Sequence, residues 1–129
     1  MVIKQDYPPN IEEIKKHFKI RHDVVYTYGD TLYSPQGANI PKHLMIHEET
    51  HSKEQLSLTP ELWWKKYFED PTFRLEQELM AYKNQLNSIR KDTKNWSKMA
   101  FYTAAIARDL SSELYGNIIS FEGAVKKLQ

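Results

Sequence analysis

Apolar residues recur at intervals of three and four along most of the chain, which is the spacing that one face of an α-helix produces. A first helix is predicted over about 11–19, with Asn10 and Glu13 forming a capping box at its start. A second helix is predicted from Pro41, a residue that suits the first helical position, to about Ser57.

The later helices begin at recognisable capping residues. Thr59 and Asp70 each precede a proline that suits the first helical position, and Asn95 and Ser120 can cap two more helices. The apolar spacing then predicts helices over 60–68, 71–90, 96–115 and 121–127. The helix over 96–115 is expected to be the most buried helix and the spine of the core, because one side carries Trp96, Met99, Ala100, Thr103, Ala104, Ala107, Leu110 and Leu114.

The segment before the second helix has the pattern of a β-hairpin. β-branched and aromatic residues at 24–28 and 31–33 flank Gly29 and Asp30, a pair that is typical of a tight turn. In a peptidase such an edge strand could pair with an extended substrate, and a small structural ribbon is the alternative. Residues 1–9 are predicted to be a short lead-in. The expected fold is α+β and mostly helical, with five to six helices and one short hairpin or small sheet.

Composition agrees with this fold and narrows the function. The 129 residues suffice for one domain, 1–129, with a modest core, and 40% of them are hydrophobic and 27% charged. A net charge of +1 gives no reason to expect nucleic acid or a membrane surface as a partner. The absence of cysteine excludes disulfides, thiolate metal ligands and cysteine nucleophiles, and it is typical of a reducing compartment. Without a signal peptide or a membrane-spanning run, a cytoplasmic location is expected.

His47, Glu48 and His51 form an H-E-x-x-H motif inside the second predicted helix. Residues four apart lie on one face of a helix, so both imidazoles point to one spot, and Glu48 can reach a water molecule held there. A catalytic zinc ion needs two such nitrogens, a third protein ligand and one open position. The motif therefore predicts a zinc site with Glu48 as general base. The alternative is a solvated helix whose histidines only decorate its surface.

Glu49 and the histidines outside the second helix are not needed as metal ligands. Glu49 is an unusual charge between the two motif histidines, and it is expected to face solvent or to pair with Lys53 one turn later. His17 and His22 flank the first predicted helix and are expected to be surface residues.

The third zinc ligand must be His43 or a carboxylate, because no histidine follows His51. His43 lies two turns, roughly 11 Å, from His51 along the helix axis, so three histidines cannot share one ion. A carboxylate from another helix is the better choice. Glu78 borders the buried stripe of the fourth predicted helix, where an unpaired carboxylate is costly, and either a metal ion or Arg74 would pair with it. Glu76 is the fallback ligand.

Over residues 24–90 the sequence resembles the gluzincin type of zinc metallopeptidase. In that group an H-E-x-x-H helix is followed by a second helix that supplies a glutamate, often in a Glu-x-x-Ala setting. Here the motif is followed by a Glu-Leu-Met-Ala segment that starts at Glu78. The sequence looks closest to minimal, single-domain members or to small phage-encoded relatives. The resemblance implies a zincin-like domain in which Glu48 is the catalyst of peptide-bond hydrolysis and Zn²⁺ is bound by His47, His51 and Glu78.

A mechanism follows from this interpretation. Zinc lowers the pKa of its bound water to about 7, and Glu48 accepts a proton from that water and passes it to the leaving nitrogen. The developing oxyanion needs a further donor, for which Tyr82 is favoured over Tyr102 and Tyr115 by its spacing from Glu78. Tyr82 stands where some relatives carry an aspartate that supports the ligands.

Two other classes of protein fit the sequence. One is a catalytically inactive zinc-binding structural or interaction protein with the same ligands and a helical fold. The other is a helical interaction module without metal, whose contact surface would be the apolar cluster of Leu62, Trp63, Trp64, Tyr67 and Phe68. Core is the default expectation for that cluster. For the enzyme, the expected partner is a peptide or protein substrate.

Overall fold

The computed structural model describes residues 1–21 and 23–129, and these form six α-helices, one short 3₁₀ helix and a three-stranded sheet. The chain is 64% helical, which confirms the predicted mostly helical α+β fold. In this part of the chain no helix combines the length and the apolar composition that a membrane span requires. In chain order the elements are β1 (Val2–Lys4), α1 (Ile11–His17), β2 (Tyr26–Tyr28), β3 (Thr31–Tyr33), α2 (Lys42–Leu58), α3 (Pro60–Glu69), α4 (Pro71–Asp92), α5 (Trp96–Leu110), the 3₁₀ helix (Glu113–Tyr115) and α6 (Phe121–Leu128).

The predicted hairpin is present, and a third strand extends it into a small sheet. β2 and β3 pair antiparallel, with Tyr26 opposite Tyr33 and a turn at Gly29 and Asp30. Gly29 has a φ of 64°, which glycine adopts without strain. β1 pairs in parallel with β3, so the segment predicted as a lead-in contributes a strand. The strand order β1-β3-β2 leaves β2 at an edge of the sheet.

Four predicted helix starts carry the expected caps, and one does not. The side chains of Thr59, Asp70, Asn95 and Ser120 each accept a hydrogen bond of 3.0–3.2 Å from a backbone N–H of the following helix. The predicted capping box at Asn10 is wrong, because the side chain of this residue makes no capping hydrogen bond. Its φ of −100° and ψ of 23° differ from the extended conformation that an N-cap usually has.

The apolar core consists of two clusters, and α2 contacts both. The first joins α4, α5 and α6 and contains Tyr82, Leu86, Ile89, Ile106, Ala107, Leu110, Ala124 and Leu128. The second joins α1, β2 and α3 and contains Ile14, Tyr26, Trp63, Trp64 and Tyr67. Tyr82 of the first cluster packs on His47, and Trp63 of the second packs on His51. The motif histidines therefore lie where the two clusters meet.

The dense apolar group of α3 is mainly core, as the sequence predicted. Trp63, Trp64 and Tyr67 are buried, whereas Leu62 is exposed. The three large buried rings are therefore not open to a partner, contrary to what the metal-free interaction module would require.

The prediction that α5 is the most buried helix is wrong. Its buried residues are Ile106, Ala107 and Leu110, whereas Trp96 and Phe101 are 81% and 67% exposed. The helix also ends five residues earlier than predicted, and the 3₁₀ helix (Glu113–Tyr115) occupies the last three positions of the predicted span. An apolar stripe indicates which face a helix can bury, but neighbouring helices must reach along its whole length to cover it. Here Trp96 and Ala100, in the first half of the stripe, are exposed, and Met99 is only partly buried.

The buried face of α2 is polar. Its buried residues are His47, Glu48, Thr50, His51, Ser52 and Gln55. The Gln55 amide accepts from the Gly29 N–H at 2.7 Å and donates to the Thr27 carbonyl at 2.9 Å. The Ser52 hydroxyl donates to the Gly29 carbonyl at 2.6 Å. These hydrogen bonds satisfy buried polar groups and fix the hairpin beside the H-E-x-x-H motif.

Two substitutions on α5 test the distribution of burial. Leu110 is fully buried, so Leu110→Ala should lower the free energy of unfolding by about 2–5 kcal/mol through lost contacts and a residual cavity. Phe101→Ala removes an exposed ring and should change that free energy by about 0.5 kcal/mol or less. Urea unfolding followed by circular dichroism measures both changes. Equal losses in the two variants would contradict the exposed position of the first half of α5.

Candidate metal centre

Helices α2 and α4 bring three donor atoms together at one point. The Nε2 atoms of His47 and His51 lie 3.1 Å apart. The Oε1 atom of Glu78, on α4, lies 3.2 Å from the first of these nitrogens and 3.3 Å from the second. All three side chains are buried, and together they form a group that can hold a metal ion.

The separations between the three donors suit a tetrahedral metal ion. Ligand atoms at 2.0–2.2 Å from a tetrahedral zinc lie roughly 3.3–3.6 Å from one another. The observed separations of 3.1–3.3 Å agree with that to within a few tenths of an ångström. Two imidazole nitrogens and one carboxylate oxygen are also a ligand set of known catalytic zinc sites. The chain therefore fits a divalent metal ion, and Zn²⁺ is one that this set of donors takes.

Gln85 determines which nitrogen of His47 carries the proton. His47 Nδ1 lies 3.0 Å from the side-chain oxygen of Gln85, and an amide oxygen can only accept a hydrogen bond. Nδ1 therefore holds the ring proton, and Nε2 keeps the lone pair that a metal needs. The Gln85 amide nitrogen donates in turn to Nδ1 of His43 at 2.9 Å. His43 thus supports His47 through Gln85 and is not one of the three converging donors.

Tyr67 holds the second oxygen of Glu78. Its hydroxyl donates to Glu78 Oε2 at 2.6 Å, which leaves Oε1 facing the two histidines. The sequence left open Glu76 as a different third ligand and Arg74 as a different partner of Glu78, and the structure favours neither. Glu76 is exposed, and the guanidinium of Arg74 donates to backbone carbonyl groups instead of the Glu78 carboxylate.

Aromatic rings pack against both imidazoles and set their orientation. The Tyr82 ring lies edge-on to His47 with a centroid separation of 4.4 Å, and Trp63 lies edge-on to His51 at 5.3 Å. His51 Nδ1 makes no hydrogen bond within the described part of the chain. Packing therefore holds the His51 ring in place, whereas His47 is held by packing and by Gln85.

In the absence of a cation, only protons can offset the repulsion between the carboxylate oxygen and the two imidazole lone pairs. Burial alone would favour a protonated Glu78, but His51 and His47 outweigh it and hold the pKa of this carboxyl well below its ordinary 4.5. Burial alone would lower the pKa of His51, but the Glu78 carboxylate outweighs it and raises that pKa above 6.5. Burial, reinforced by Glu78, raises the pKa of Tyr67 well above 10, so its hydroxyl stays protonated and donates.

Glu48 is positioned beside this group by the hairpin. It is buried on α2, and the Thr27 hydroxyl of β2 donates to its Oε2 atom at 2.7 Å. The Thr27 carbonyl accepts from the side chains of Gln55 and Trp64, so this strand residue is itself fixed. Within the described residues, the Oε1 atom of Glu48 makes no hydrogen bond. One carboxylate oxygen is therefore held, and the other is available for chemistry.

A cavity of about 90 Å³ adjoins the site, and the polar residues His47, Glu48, His51 and Glu78 line part of it. The rest of its wall is largely apolar and comes from α1, from the segment before β2, from α3 and from the 3₁₀ helix. The three candidate metal ligands and the Glu48 carboxylate therefore border one cavity.

The three tyrosines that the sequence suggested as donors differ in position. Tyr115 lines the cavity. Tyr82, which the sequence favoured, packs its ring on His47, and its hydroxyl is hydrogen-bonded to that of Tyr115 at 2.5 Å. Tyr102 packs against His43, and its ring is not part of the cavity wall. Spacing along α4 placed Tyr82 on the correct face but could not show where its hydroxyl points.

Glu49 and His17 are not among the three converging donors. Glu49 is partly exposed, as expected of a charge that faces solvent. His17 stacks on the Phe68 ring at 4.4 Å and does not join the three donors. His22 lies outside the described residues.

The sequence identified the three donors and Glu48 but missed the residues that hold them. Gln85 had a usable signal, because it lies seven residues after Glu78 and hence two turns along the same face of α4. Tyr67 and Thr27 had none, because each comes from a different element and reads as an ordinary apolar or strand residue. Contacts between distant segments cannot be deduced from spacing within one segment.

No family model, curated protein or solved structure matches this chain. The interpretation of the site therefore depends on the distances, burial and hydrogen bonds of the chain itself.

The bond between Tyr67 and Glu78 should contribute to metal affinity. Tyr67→Phe keeps the ring but removes the hydroxyl that orients the carboxylate, so Zn²⁺ affinity should fall by about 10–100-fold. Competition with a chromophoric chelator measures this change. Tyr28→Phe is the matched control, because it removes a tyrosine–carboxylate bond to Glu61 at the surface. An equal effect of the two substitutions, or no effect of Tyr67→Phe, would contradict this role.

The free energy of unfolding of the metal-free protein should fall toward both low pH and high pH. The lowered pKa of Glu78 contributes stability above its unfolded value near 4.5, and this is lost as pH falls through the folded pKa. The raised pKa of His51 contributes stability that is complete below about 6.5 and is lost as pH rises through the folded pKa. Urea unfolding in chelator across this range should therefore show a maximum that Glu78→Gln flattens. A pH profile that is unchanged in Glu78→Gln would contradict the interaction between Glu78 and His51 on which this prediction depends.

Proposed function

We propose that this protein is a zinc-dependent peptidase of the gluzincin type. The observation that carries the proposal is the position of Glu48, a buried carboxylate that lines the same cavity as the three metal-binding donors. A general base must lie within reach of the water that it deprotonates. The hydrogen bond from Thr27 holds one oxygen of Glu48 and leaves the other for proton transfer.

The proposed reaction is the hydrolysis of a peptide bond by water. When bound, Zn²⁺ would lower the pKa of a water molecule to about 7 and polarise the scissile carbonyl group. Glu48 takes a proton from the attacking water as the water oxygen adds to the carbonyl carbon. Glu48 then gives that proton to the leaving nitrogen as the C–N bond breaks, which releases a carboxylic acid and an amine and restores the carboxylate.

Tyr115 is the best candidate to donate a hydrogen bond to the developing oxyanion, because it lines the cavity. Burial, reinforced by Glu78, raises the pKa of its hydroxyl well above 10, so the group remains a donor at neutral pH. In this mechanism Tyr82 acts through Tyr115, to which its hydroxyl is bonded.

The substrate reaches Glu48 through the cavity rather than along the edge of β2. The Thr27 carbonyl of that edge already accepts from Gln55 and Trp64, so it is not free to pair with an extended peptide. The hairpin instead serves the site by holding Glu48.

A purely structural zinc site is the competing function. Structural zinc ions are almost always enclosed by four protein ligands, whereas catalytic ones keep a position open. Within the described residues the group offers three donors, and these line a cavity. This arrangement favours catalysis over structural support.

Glu48→Gln should separate the two functions. The amide preserves the shape of the side chain and can still accept from Thr27, but it cannot act as a base. Peptide hydrolysis should fall by about 100-fold or more, while zinc content and folding remain unchanged. Glu49→Gln removes the same charge from the neighbouring residue and should retain activity. Quenched-fluorescence peptide mixtures measure hydrolysis, and elemental analysis of untagged protein measures zinc.

Each result has a distinct meaning. Stoichiometric zinc with no hydrolysis by the unmodified protein, and no difference in Glu48→Gln, would support the structural function. Zinc well below one per chain after supplementation would exclude both metal-dependent functions. Equal loss of activity in Glu48→Gln and Glu49→Gln would refute the role of Glu48 as the base.

A further inference from the structure

The exposed half of α5 has the pattern of a buried helix face. Five residues at helical spacing, which the sequence assigns to the core, lie along this half and line a surface groove: Trp96, Met99, Ala100, Thr103 and Ala104. Such a stripe normally faces the interior of a protein. Trp96 is 81% exposed, although tryptophan is rarely left open to solvent and is enriched where proteins bind one another.

The rest of the groove combines apolar and basic groups. Val125 of α6 and Gln129, which follows α6, form one wall. Arg90 lies near the end of α4, and Thr93 and Lys94 come directly after it. Within the described residues, no Asp or Glu side chain lines the groove, and no carboxylate forms an ion pair with Arg90 or Lys94. Asp92, which lies between them in the sequence, pairs with Lys42 instead. An apolar floor is therefore bordered by two positive charges that form no ion pair with a described carboxylate.

The dimensions of the exposed stripe match a short helix. Its residues span 96–104, or about 12 Å along α5, which is a little more than two turns of a helix lying alongside. The small side chains of Ala100 and Ala104 leave room for a close approach between Trp96 and the α6 wall. We infer that this groove binds an amphipathic helix of a partner protein, in which acidic residues flank the apolar anchors.

Charge distinguishes this partner from a second copy of the chain. If two copies paired through this groove about a two-fold axis, each would bring Arg90 and Lys94 to the interface and no Asp or Glu of the groove to pair with them. An acidic helix instead places opposite charges at this end of the groove and apolar side chains against Trp96. The inference is independent of the metal centre, because no residue of that centre lines the groove.

A synthetic amphipathic peptide tests the inference on the full chain. The probe is about 15 residues long, with leucines at helical spacing and glutamates beside them, and its control carries lysines in place of the glutamates. Trp63 and Trp64 are buried, so acrylamide quenching reports mainly on Trp96. The acidic peptide should bind saturably and protect Trp96 from acrylamide, whereas the lysine peptide should not.

Charge reversal provides the matched comparison. Arg90→Glu with Lys94→Glu should lower the affinity for the acidic peptide by about tenfold or more. Lys83→Glu with Lys127→Glu makes the same change in net charge at exposed positions outside the groove and should have little effect. Equal binding of both peptides, failure to protect Trp96, or equal losses in the two double variants would overturn the inference. A stable dimer in sedimentation that Trp96→Glu dissociates would identify a second copy as the occupant instead.

Discussion

The structure depends on how partners are supplied to the polar side chains that α2 turns toward the interior. His47 and His51 lie beside the Glu78 carboxylate, with three donor atoms 3.1–3.3 Å apart and almost no contact with solvent. Lone pairs at that separation repel one another unless a proton or a cation lies between them. A metal ion compensates all three donors at once, whereas protons compensate them only within a limited pH range. The most extensively packed pair of helices, α2 and α4, is thus joined at a group whose energy depends on its charge state.

The surrounding elements follow from the need to satisfy that face. Gln55 and Ser52 fix the hairpin turn, and the hairpin in turn supplies the Thr27 hydroxyl that holds Glu48. α4 supplies Gln85 to His47, while α3 supplies Tyr67 to Glu78. The two apolar clusters meet at this group. Tyr82 of the first cluster packs on His47, and Trp63 of the second packs on His51. The small sheet therefore has a clear function despite its size, since without it Glu48 would have no partner at Oε2.

Local signals in the sequence predicted what lies within one segment. The caps at Thr59, Asp70, Asn95 and Ser120, the hairpin turn and the H-E-x-x-H spacing are all properties of a few neighbouring residues. Glu78 was a candidate because a carboxylate beside an apolar stripe requires a partner, and only the resemblance to gluzincins implied that this partner is a metal ion. What could not be predicted depends on neighbours in space. The parallel pairing of β1, the exposed half of α5 and the hydroxyl directions of Tyr67 and Tyr82 are set by packing between distant segments. The failed cap at Asn10 shows that even a correct local pattern yields to the backbone conformation around it.

The polar interior is an argument for function, because it is an expensive way to build a core. Buried ionisable groups commonly contribute less stability than apolar residues of similar size would, and each needs a partner in a specific geometry. Apolar side chains at these positions would join the two clusters into one continuous core. Instead α2, α3, α4 and β2 each direct a polar group to the same small region, and no packing requirement explains that convergence. The proposed function would explain it, because a site built to hold a cation beside a reactive carboxylate needs charges that stability alone would disfavour.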